Sequence, residues 1–134
     1  PPLNHVGRLD KDTTGLVLLT DDGDFANKVL HPKYKLSRKY YAYTKDCLSF
    51  NDIKKIKKGI FLNVGERVKA DIKHVDFKKG KHKWRIILKE GKNREIRKIF
   101  EYFSWGIIKL VRIQFGPYKL LKLKEGKIIE INKI

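Results

Sequence analysis

Residues 7–23 join a polar loop to a short apolar run, and no other segment restricts the fold as strongly. Gly7 and Gly15 bracket a segment rich in Asp and Thr, whose side chains hydrogen-bond to nearby backbone and favour turns. Residues 16–19 are all apolar and precede an Asp-Asp-Gly turn, as in a short buried strand. Asp10 is therefore held just before a rigid strand, as a fixed reactive carboxylate would be. Taken alone, the pattern favours an ordinary turn residue over a reactive group.

The charge balance points to a polyanionic partner. The 134 residues suffice for one domain with a hydrophobic core. The net charge is +17, from 32 Lys and Arg against 15 Asp and Glu, which favours nucleic acid binding. A genome biased towards A and T would also enrich lysine without any binding role. The positive charge is concentrated, however, because residues 78–98 contain ten basic and only two acidic residues.

The cysteine and histidine content argues against disulfides and metal sites. Cys47 is the single cysteine, so no internal disulfide or cysteine-based zinc cluster can form. The four histidines are far apart in sequence and match no metal-ligand spacing. No apolar run approaches the length of a membrane span. We therefore expect no metal site and no membrane partner, in a reducing compartment.

Hydrophobic periodicity predicts three short helices and about seven strands. The helices are expected over residues 24–30, over residues 49–58, and from residue 93 onwards. The longer strands are expected over residues 39–44, 68–77, 83–90 and 107–115, with shorter ones at 118–123 and 127–131. Tight turns such as residues 77–81 join neighbouring strands. The sequence therefore predicts an α+β fold with a mixed, largely antiparallel sheet and a few short helices.

Three groups of residues have the chemistry of a site. The Asp10 carboxylate could act as a nucleophile, kept ionised by neighbouring Arg8. In the aromatic strand, Tyr41 could stack on a base, although such residues usually pack in a core. Strand alternation places Tyr40 on the opposite face from Tyr41, so only one of these two faces can serve a site. Residues 90–98 are predicted to form a basic helix N-terminus, which could bind a phosphate or a carboxylate. Alternatively, they form a solvent-exposed charged face with ion pairs within the helix.

The opening motif resembles the signature of RNA pseudouridine synthases. The resemblance rests on the run Gly7-Arg8-Leu9-Asp10-x-x-Thr13-x-Gly15-Leu16. The later Leu18-Leu19-Thr20-x-Asp22-Gly23 and His31-Pro32 are similar to the RsuA/RluB/E/F group of that family. Lys39-x-Tyr41 resembles its second motif, and Glu90-Gly91-Lys92-Asn93-Arg94-x-Ile96-Arg97 its third. Leu110-x-Arg112-x-x-x-Gly116 also fits, and the third motif departs from the family at Glu95, where the family usually has Gln.

The resemblance implies an enzyme that isomerises uridine to pseudouridine in structured RNA, with ribosomal RNA as the first expectation. Asp10 would be the nucleophile, Tyr41 would stack on the base and handle its C5 proton, and Arg97 would pair with Asp10. Neither a metal nor a cofactor is implied. The residues that would contact RNA are Arg8, Thr13, Lys39, Lys92, Asn93, Arg94 and Lys98. The neighbouring Asp12, Asp21 and Asp22 would only shape turns.

The resemblance also sets expectations for the whole chain. Residues 1–134 would form a single catalytic domain without its N-terminal part, because the family's domain normally begins well before residue 7. We expect a monomer in the cytoplasm, or in an organelle with bacterial-type ribosomes. The alternative is a non-catalytic RNA-binding or ribosome-assembly module on a degenerate synthase fold. Glu95 favours that alternative, whereas the set of Asp10, Tyr41 and Arg97 favours the enzyme.

Overall fold

The computed structural model describes residues 3–7, 9–31, 33, 36–63, 65–90, 94–120 and 127. These residues form three helices, α1 (Gly23–Leu30), α2 (Phe50–Lys58) and α3 (Glu95–Tyr102). They also form ten strands: β1 (Asn4–Val6), β2 (Thr14–Gly15), β3 (Leu18–Thr20), β4 (Arg38–Thr44), β5 (Ile60–Asn63), β6 (Glu66–Val68), β7 (Asp71–Lys78), β8 (Lys81–Leu88), β9 (Lys109–Phe115) and β10 (Tyr118–Lys119). In this part of the chain, every helix is too short or too polar to cross a membrane.

The main sheet has β4 at its centre. Its strand order is β10-β9-β4-β8-β7, and all of these neighbours are antiparallel. The short strand β2 pairs with β9 in parallel, which makes the sheet mixed. Two small antiparallel pairs, β1 with β3 and β5 with β6, lie outside the main sheet. The predicted α+β fold with a mixed, largely antiparallel sheet is confirmed.

The predicted single strand over residues 68–77 is wrong, because the chain forms two strands there. β6 ends at Val68 and pairs with β5, whereas β7 begins at Asp71 and pairs with β8. Between them, the amide of Ala70 donates to the carbonyl of Ile56 in α2 at 3.1 Å, so the backbone is tied to a helix at this point. The predicted strand at 127–131 and most of the one at 118–123 lie outside the described residues.

Turn and cap residues act as the sequence predicts at several places. Lys79 and Gly80 both have positive φ, 51° and 75°, as a two-residue hairpin turn requires. The Asp22 side chain accepts a hydrogen bond from the amide of Phe25 at 3.0 Å and caps α1. The cap expected at Asn93 lies outside the described residues. Instead, Arg94 occupies the capping position of α3, in a left-handed conformation and without a side-chain cap bond.

Two apolar clusters hold the fold together. In the larger one, α2 and α3 cover one face of the main sheet, with Ile56 and Phe100 packed against Ala42 and Trp84. The smaller cluster contains Val6, Leu16, Leu18, Ala26 and Phe115, and joins the opening segment and α1 to the end of β9. The opening segment therefore packs against the main sheet through its own apolar cluster, which is separate from the larger core.

β2 and β9 approach each other most closely at Gly15. The amide of Leu16 donates to the carbonyl of Arg112 at 2.8 Å, and the Arg112 Nε donates back to the carbonyl of Leu16 at 2.9 Å. Gly15 has φ +115°, and a Cβ atom there would lie 2.2 Å from the Arg112 carbonyl oxygen. Only glycine therefore permits this contact.

We expect Gly15→Ala to destabilise the fold by about 3 kcal/mol, because it combines backbone strain with a backbone clash. That loss corresponds to a drop of roughly 10 °C in the midpoint of thermal unfolding. Gly65→Ala is the matched control, since Gly65 also has positive φ (+81°) but a Cβ there would meet nothing within 4 Å. Equal midpoints for the two variants would show that the contact at Gly15 does not support the fold.

Candidate active site

A cavity of about 460 Å³ opens between the opening loop, β4, β9 and the start of α3. This volume lies within the usual range for small-ligand pockets. Leu88, Leu110 and Phe115 contribute apolar wall. Its polar and charged lining includes Asp10, Arg38, Tyr40, Arg94, Glu95 and Arg112. The cavity therefore combines an apolar wall with a carboxylate, a phenol and guanidinium groups.

Asp10 is the first residue of a tight turn at the edge of this cavity. The turn is closed by a hydrogen bond from the Thr13 amide to the Asp10 carbonyl at 3.0 Å. Asp10 is partly exposed and lines the cavity, as does Thr13, which is buried. Three residues further on, Leu16 packs in the smaller apolar cluster and anchors the turn. The Asp10 carboxylate forms no ion pair within the described part of the chain.

The predicted ion pair between Arg97 and Asp10 is wrong, because Arg97 binds Asp12. Its Nη2 donates to the Asp12 carbonyl at 2.8 Å, and its Nε lies 3.3 Å from the Asp12 carboxylate. Arg94 adds a second guanidinium 3.5 Å from the same carboxylate. Desolvation acts to raise the pKa of Asp12, but a backbone hydrogen bond, Arg97 and Arg94 together lower it.

The geometry of the turn explains why Arg97 binds Asp12 and not Asp10. Asp12 is the third residue of the turn, at its exposed tip, and α3 runs past that tip. Asp10 lies at the base of the turn and lines the cavity with residues of β4 and β9. Asp12 was expected only to shape the turn, yet it also attaches the turn to α3. Arg97 thus fixes the turn without occupying the Asp10 carboxylate.

Tyr41, which the resemblance implied as the residue that stacks on the base, lies on the face of the sheet opposite the cavity. It is opposite Arg85 on β8 and Val111 on β9, and the Lys83 ammonium lies 4.0 Å from the centre of its ring. Tyr40 lines the cavity instead. The alternation of the strand separates these two tyrosines, but the sequence did not show which face the site occupies.

The surroundings of Tyr40 keep its hydroxyl protonated at neutral pH. Burial raises the pKa of Tyr40, the positive charges of Arg112 and Arg38 act against that effect, and Asp10 raises it further. The net shift is upwards from an ordinary value of 10.0. A neutral phenol in this position can donate a hydrogen bond or exchange a proton with a ligand.

Arg112 is a site residue to which the sequence analysis gave no role. It is only 2% exposed, at the middle of β9, and its Nε is bonded to the Leu16 carbonyl. Burial lowers the pKa of Arg112 while Tyr40 raises it, and an arginine remains charged in either case. The signal in the sequence was a charged residue among the apolar Leu110, Val111 and Ile113.

Glu95, the one departure from the family's third motif, is buried and lines the cavity. Its charge acts on Arg38 and raises the pKa of that guanidinium, whereas burial, the larger effect, lowers it. The Glu95 carboxylate therefore acts as a counter-charge near the partly buried Arg38. The departure is compatible with an intact site.

The residues predicted to bind RNA divide into three groups. Thr13 and Arg94 line the cavity, and the Thr13 hydroxyl has no hydrogen-bond partner within the described residues. Lys39 lies opposite Ile87 and next to Gln114, on the face away from the cavity. Lys98 forms an ion pair with Glu66 at 3.5 Å and does not line the cavity. Arg8, Lys92 and Asn93 lie outside the described residues.

Metal-ligand side chains are not grouped in the part of the chain that the structure describes. No three residues of the types His, Cys, Asp and Glu lie close enough there to hold a metal ion. His74 and His82 do meet, with 3.0 Å between ring nitrogens, at the far end of the sheet and without a third ligand.

Comparison with known proteins gives a consistent result. The chain is 38% identical over 128 residues to ribosomal large subunit pseudouridine synthase B of Bacillus subtilis (strain 168). It is 42% identical over 136 residues to an uncharacterised RNA pseudouridine synthase of Rickettsia felis. These matches cover 94% and 98% of the chain but 52% and 57% of the relatives, so the chain spans little more than half their length.

Solved structures show the same fold. A crystal structure of a pseudouridylate synthase superposes with a TM-score of 0.83 at 30% identity, covering 93% of this chain and 54% of that one. A chain from an H/ACA ribonucleoprotein bound to a substrate RNA containing 2′-deoxyuridine superposes with a TM-score of 0.62. It is 17% identical, covers 89% of this chain and 40% of that one, and shows the fold alone.

The family profile agrees with both comparisons. The sequence model of the family described as RNA pseudouridylate synthase matches residues 1–102, which include the Asp10 turn, β4 and α3. The motifs, the fold and the matched relatives therefore lead to one assignment: this chain belongs to the RNA pseudouridylate synthase family.

Proposed function

We propose that this chain isomerises uridine to pseudouridine in structured RNA, with Asp10 as the nucleophile. The observation that carries the proposal is the cavity, which joins Asp10 with Tyr40 and Arg112 in a member of this family. These three groups provide a carboxylate that forms no ion pair among the described residues, a neutral phenol and a fixed positive charge. An ionised carboxylate is a competent nucleophile when it is not neutralised by an ion pair.

The reaction exchanges one bond of the base for another. The bond from ribose C1′ to N1 of uracil breaks, the base turns, and a new bond joins C1′ to C5. The proton on C5 leaves, and N1 takes up a proton. The Asp10 carboxylate attacks either C1′ of the ribose or the base. In either route the bond that Asp10 forms breaks again before the product leaves, which regenerates the carboxylate. The apolar wall of the cavity retains the detached uracil and excludes water.

We assign to Tyr40 the role that the resemblance implied for Tyr41. The Tyr40 ring lines the cavity beside Asp10, where it can contact the face of the base. Its hydroxyl is protonated at neutral pH, so it can give a proton to N1 of the detached base and then accept the proton that leaves C5. The nearby Arg112 stabilises negative charge that develops on the base or on the phenol.

A base inside a duplex cannot reach a cavity of this kind, so the target uridine must leave its stack. The Thr13 hydroxyl in the cavity is available to hydrogen-bond the extruded base. The net charge of +17 supports binding to the RNA backbone. Because relatives bear the name of ribosomal large subunit pseudouridine synthases, we further propose large-subunit ribosomal RNA as the substrate.

We expect Asp10→Asn to lower the rate of pseudouridine formation at least about a thousandfold, because it removes the nucleophile but keeps the shape of the side chain. The measurement is tritium release from unmodified bacterial large-subunit ribosomal RNA labelled at uridine C5. Affinity for that RNA should not fall, since no positive charge is lost.

Asp12→Asn is the matched control, with the same change two residues later. Its rate should fall at most about tenfold, because the Asp12 carboxylate is half-exposed in its pairs with Arg94 and Arg97 and its carbonyl still accepts from Arg97. If the wild-type chain binds this RNA but releases no tritium, the non-catalytic RNA-binding alternative is correct and the proposed activity is not.

We expect Tyr40→Phe to lower kcat about a hundredfold with a small change in KM, because the ring remains but the proton-carrying hydroxyl is lost. Tyr41→Phe removes the same atom from the opposite face of the same strand, and its kcat should match the wild type. Both are measured by steady-state tritium release. A larger loss for Tyr41→Phe than for Tyr40→Phe would contradict the assignment of Tyr40.

We expect Arg97→Ala to lower both kcat and the midpoint of thermal unfolding, because it detaches the Asp10 turn from α3. Asp12→Asn should lower the midpoint less, since the bond to the Asp12 carbonyl survives. Arg97→Lys should recover part of the stability and less of kcat, because lysine lacks the planar fork. Unchanged kcat in Arg97→Ala would show that this contact does not position Asp10.

A further inference from the structure

A second cavity, of about 1120 Å³, adjoins the catalytic one and is more than twice its volume. It is bounded by the end of α1, the residues before β4, the end of α2, the start of β7 and the residues after β8. Leu30, Arg38 and Glu90 line both cavities. We call this second cavity the side groove.

The side groove carries unneutralised positive charge. Lys57 lines it from α2, Lys69 from the connection between β6 and β7, and Lys89 from the residues after β8, and all three are exposed. Within the described part of the chain, none of them lies in an ion pair. Of the two acidic residues of the lining, Asp71 is already paired with Arg85 at 3.7 Å. The groove therefore presents three mobile ammonium groups to an anionic ligand.

Arg38 occupies the junction between the side groove and the catalytic cavity. Its Nη1 donates to the Leu36 carbonyl at 2.8 Å, and its guanidinium lies 4.8 Å from the centre of the Phe115 ring. These contacts hold a positive charge at the point where a chain leaving one cavity would enter the other. The two cavities thus form one continuous path with a fixed charge in the middle.

We propose that the side groove binds the sugar–phosphate backbone of the RNA strand next to the flipped uridine. This inference rests on the proposed function, which places the uridine in the adjoining cavity. Ammonium groups on flexible stems suit phosphates whose exact positions vary, and they add affinity without reading sequence. Val29, Leu36, Ala70 and Ile87 supply apolar surface between the charges for riboses and bases.

The test compares two triple variants for RNA affinity. The groove variant carries Lys57→Ala, Lys69→Ala and Lys89→Ala. The control variant carries Lys45→Ala, Lys78→Ala and Lys81→Ala, three exposed lysines at the opposite ends of β4, β7 and β8. Both lose three charges from the surface, so a difference between them reports the position of the charges and not their number.

The probes are fluorescent oligouridylates of three and twelve nucleotides, measured by anisotropy between 50 and 300 mM KCl. For the wild type and the control variant, we expect the twelve-nucleotide probe to bind at least tenfold more tightly than the three-nucleotide probe. For the groove variant this difference should largely disappear. Its plot of log affinity against log salt should be shallower by about 2, because each lost phosphate contact to a single strand contributes about 0.7.

Equal losses of RNA affinity in the groove and control variants would overturn the inference, because they would show that only the total surface charge matters and not its position. Equal displacement of the long probe by a twelve-residue polyglutamate would also overturn it, since the groove would then bind any extended polyanion. These readouts do not depend on turnover. A chain that releases no tritium but shows the expected length dependence would contradict the proposed function and leave RNA binding in the groove standing.

Discussion

The contact between Gly15 and Arg112 decides where every group of the site lies. At this point β2 joins β9 through bonds in both directions between Leu16 and Arg112. The backbones approach so closely that a Cβ on Gly15 has no room. This contact fastens the opening loop onto the edge of the sheet, and the turn with Asp10 follows from it. The Arg112 Nε joins the opening loop to the sheet, and the same guanidinium faces Tyr40. One side chain therefore contributes both to the fold and to the site.

A second attachment holds the turn from the other direction. Arg97 on α3 binds the carbonyl and carboxylate of Asp12 at the tip of the turn. The turn is thus held at its base by the sheet and at its tip by a helix, while Asp10 between them makes no ion pair among the described residues. This is the arrangement that a reactive group requires, because its own lone pairs stay available while its position is fixed by others.

The sequence predicted the class of fold, the helices and the importance of the Asp10 turn, because these depend on local patterns. Periodicity locates helices, and Gly, Asp and Ser mark caps and turns such as Asp22 and Lys79-Gly80. The two errors at the site have a different origin. Tyr40 and Tyr41 necessarily face opposite ways, but the side that receives the helices is set by packing of α2 and α3 far along the chain. The partner of Arg97 similarly depends on the distance between a turn and a helix that are more than eighty residues apart in sequence.

The placement of charge explains why a chain with a net charge of +17 need not be a general polyanion binder. Beside the catalytic cavity, the guanidinium groups of Arg97 and Arg94 are both paired with the Asp12 carboxylate. These charges fix geometry, because each is bound to a partner and cannot follow a ligand. In the side groove the lysines are exposed and carry no ion pair within the described residues, so their charge is available for affinity. A compositional bias towards lysine adds positive charge anywhere on a surface. It does not explain why paired arginines hold the Asp10 turn while the three lysines of the side groove form no ion pair among the described residues. This division between the two cavities is what a site needs if it must bind a flexible strand loosely and a single base in one orientation.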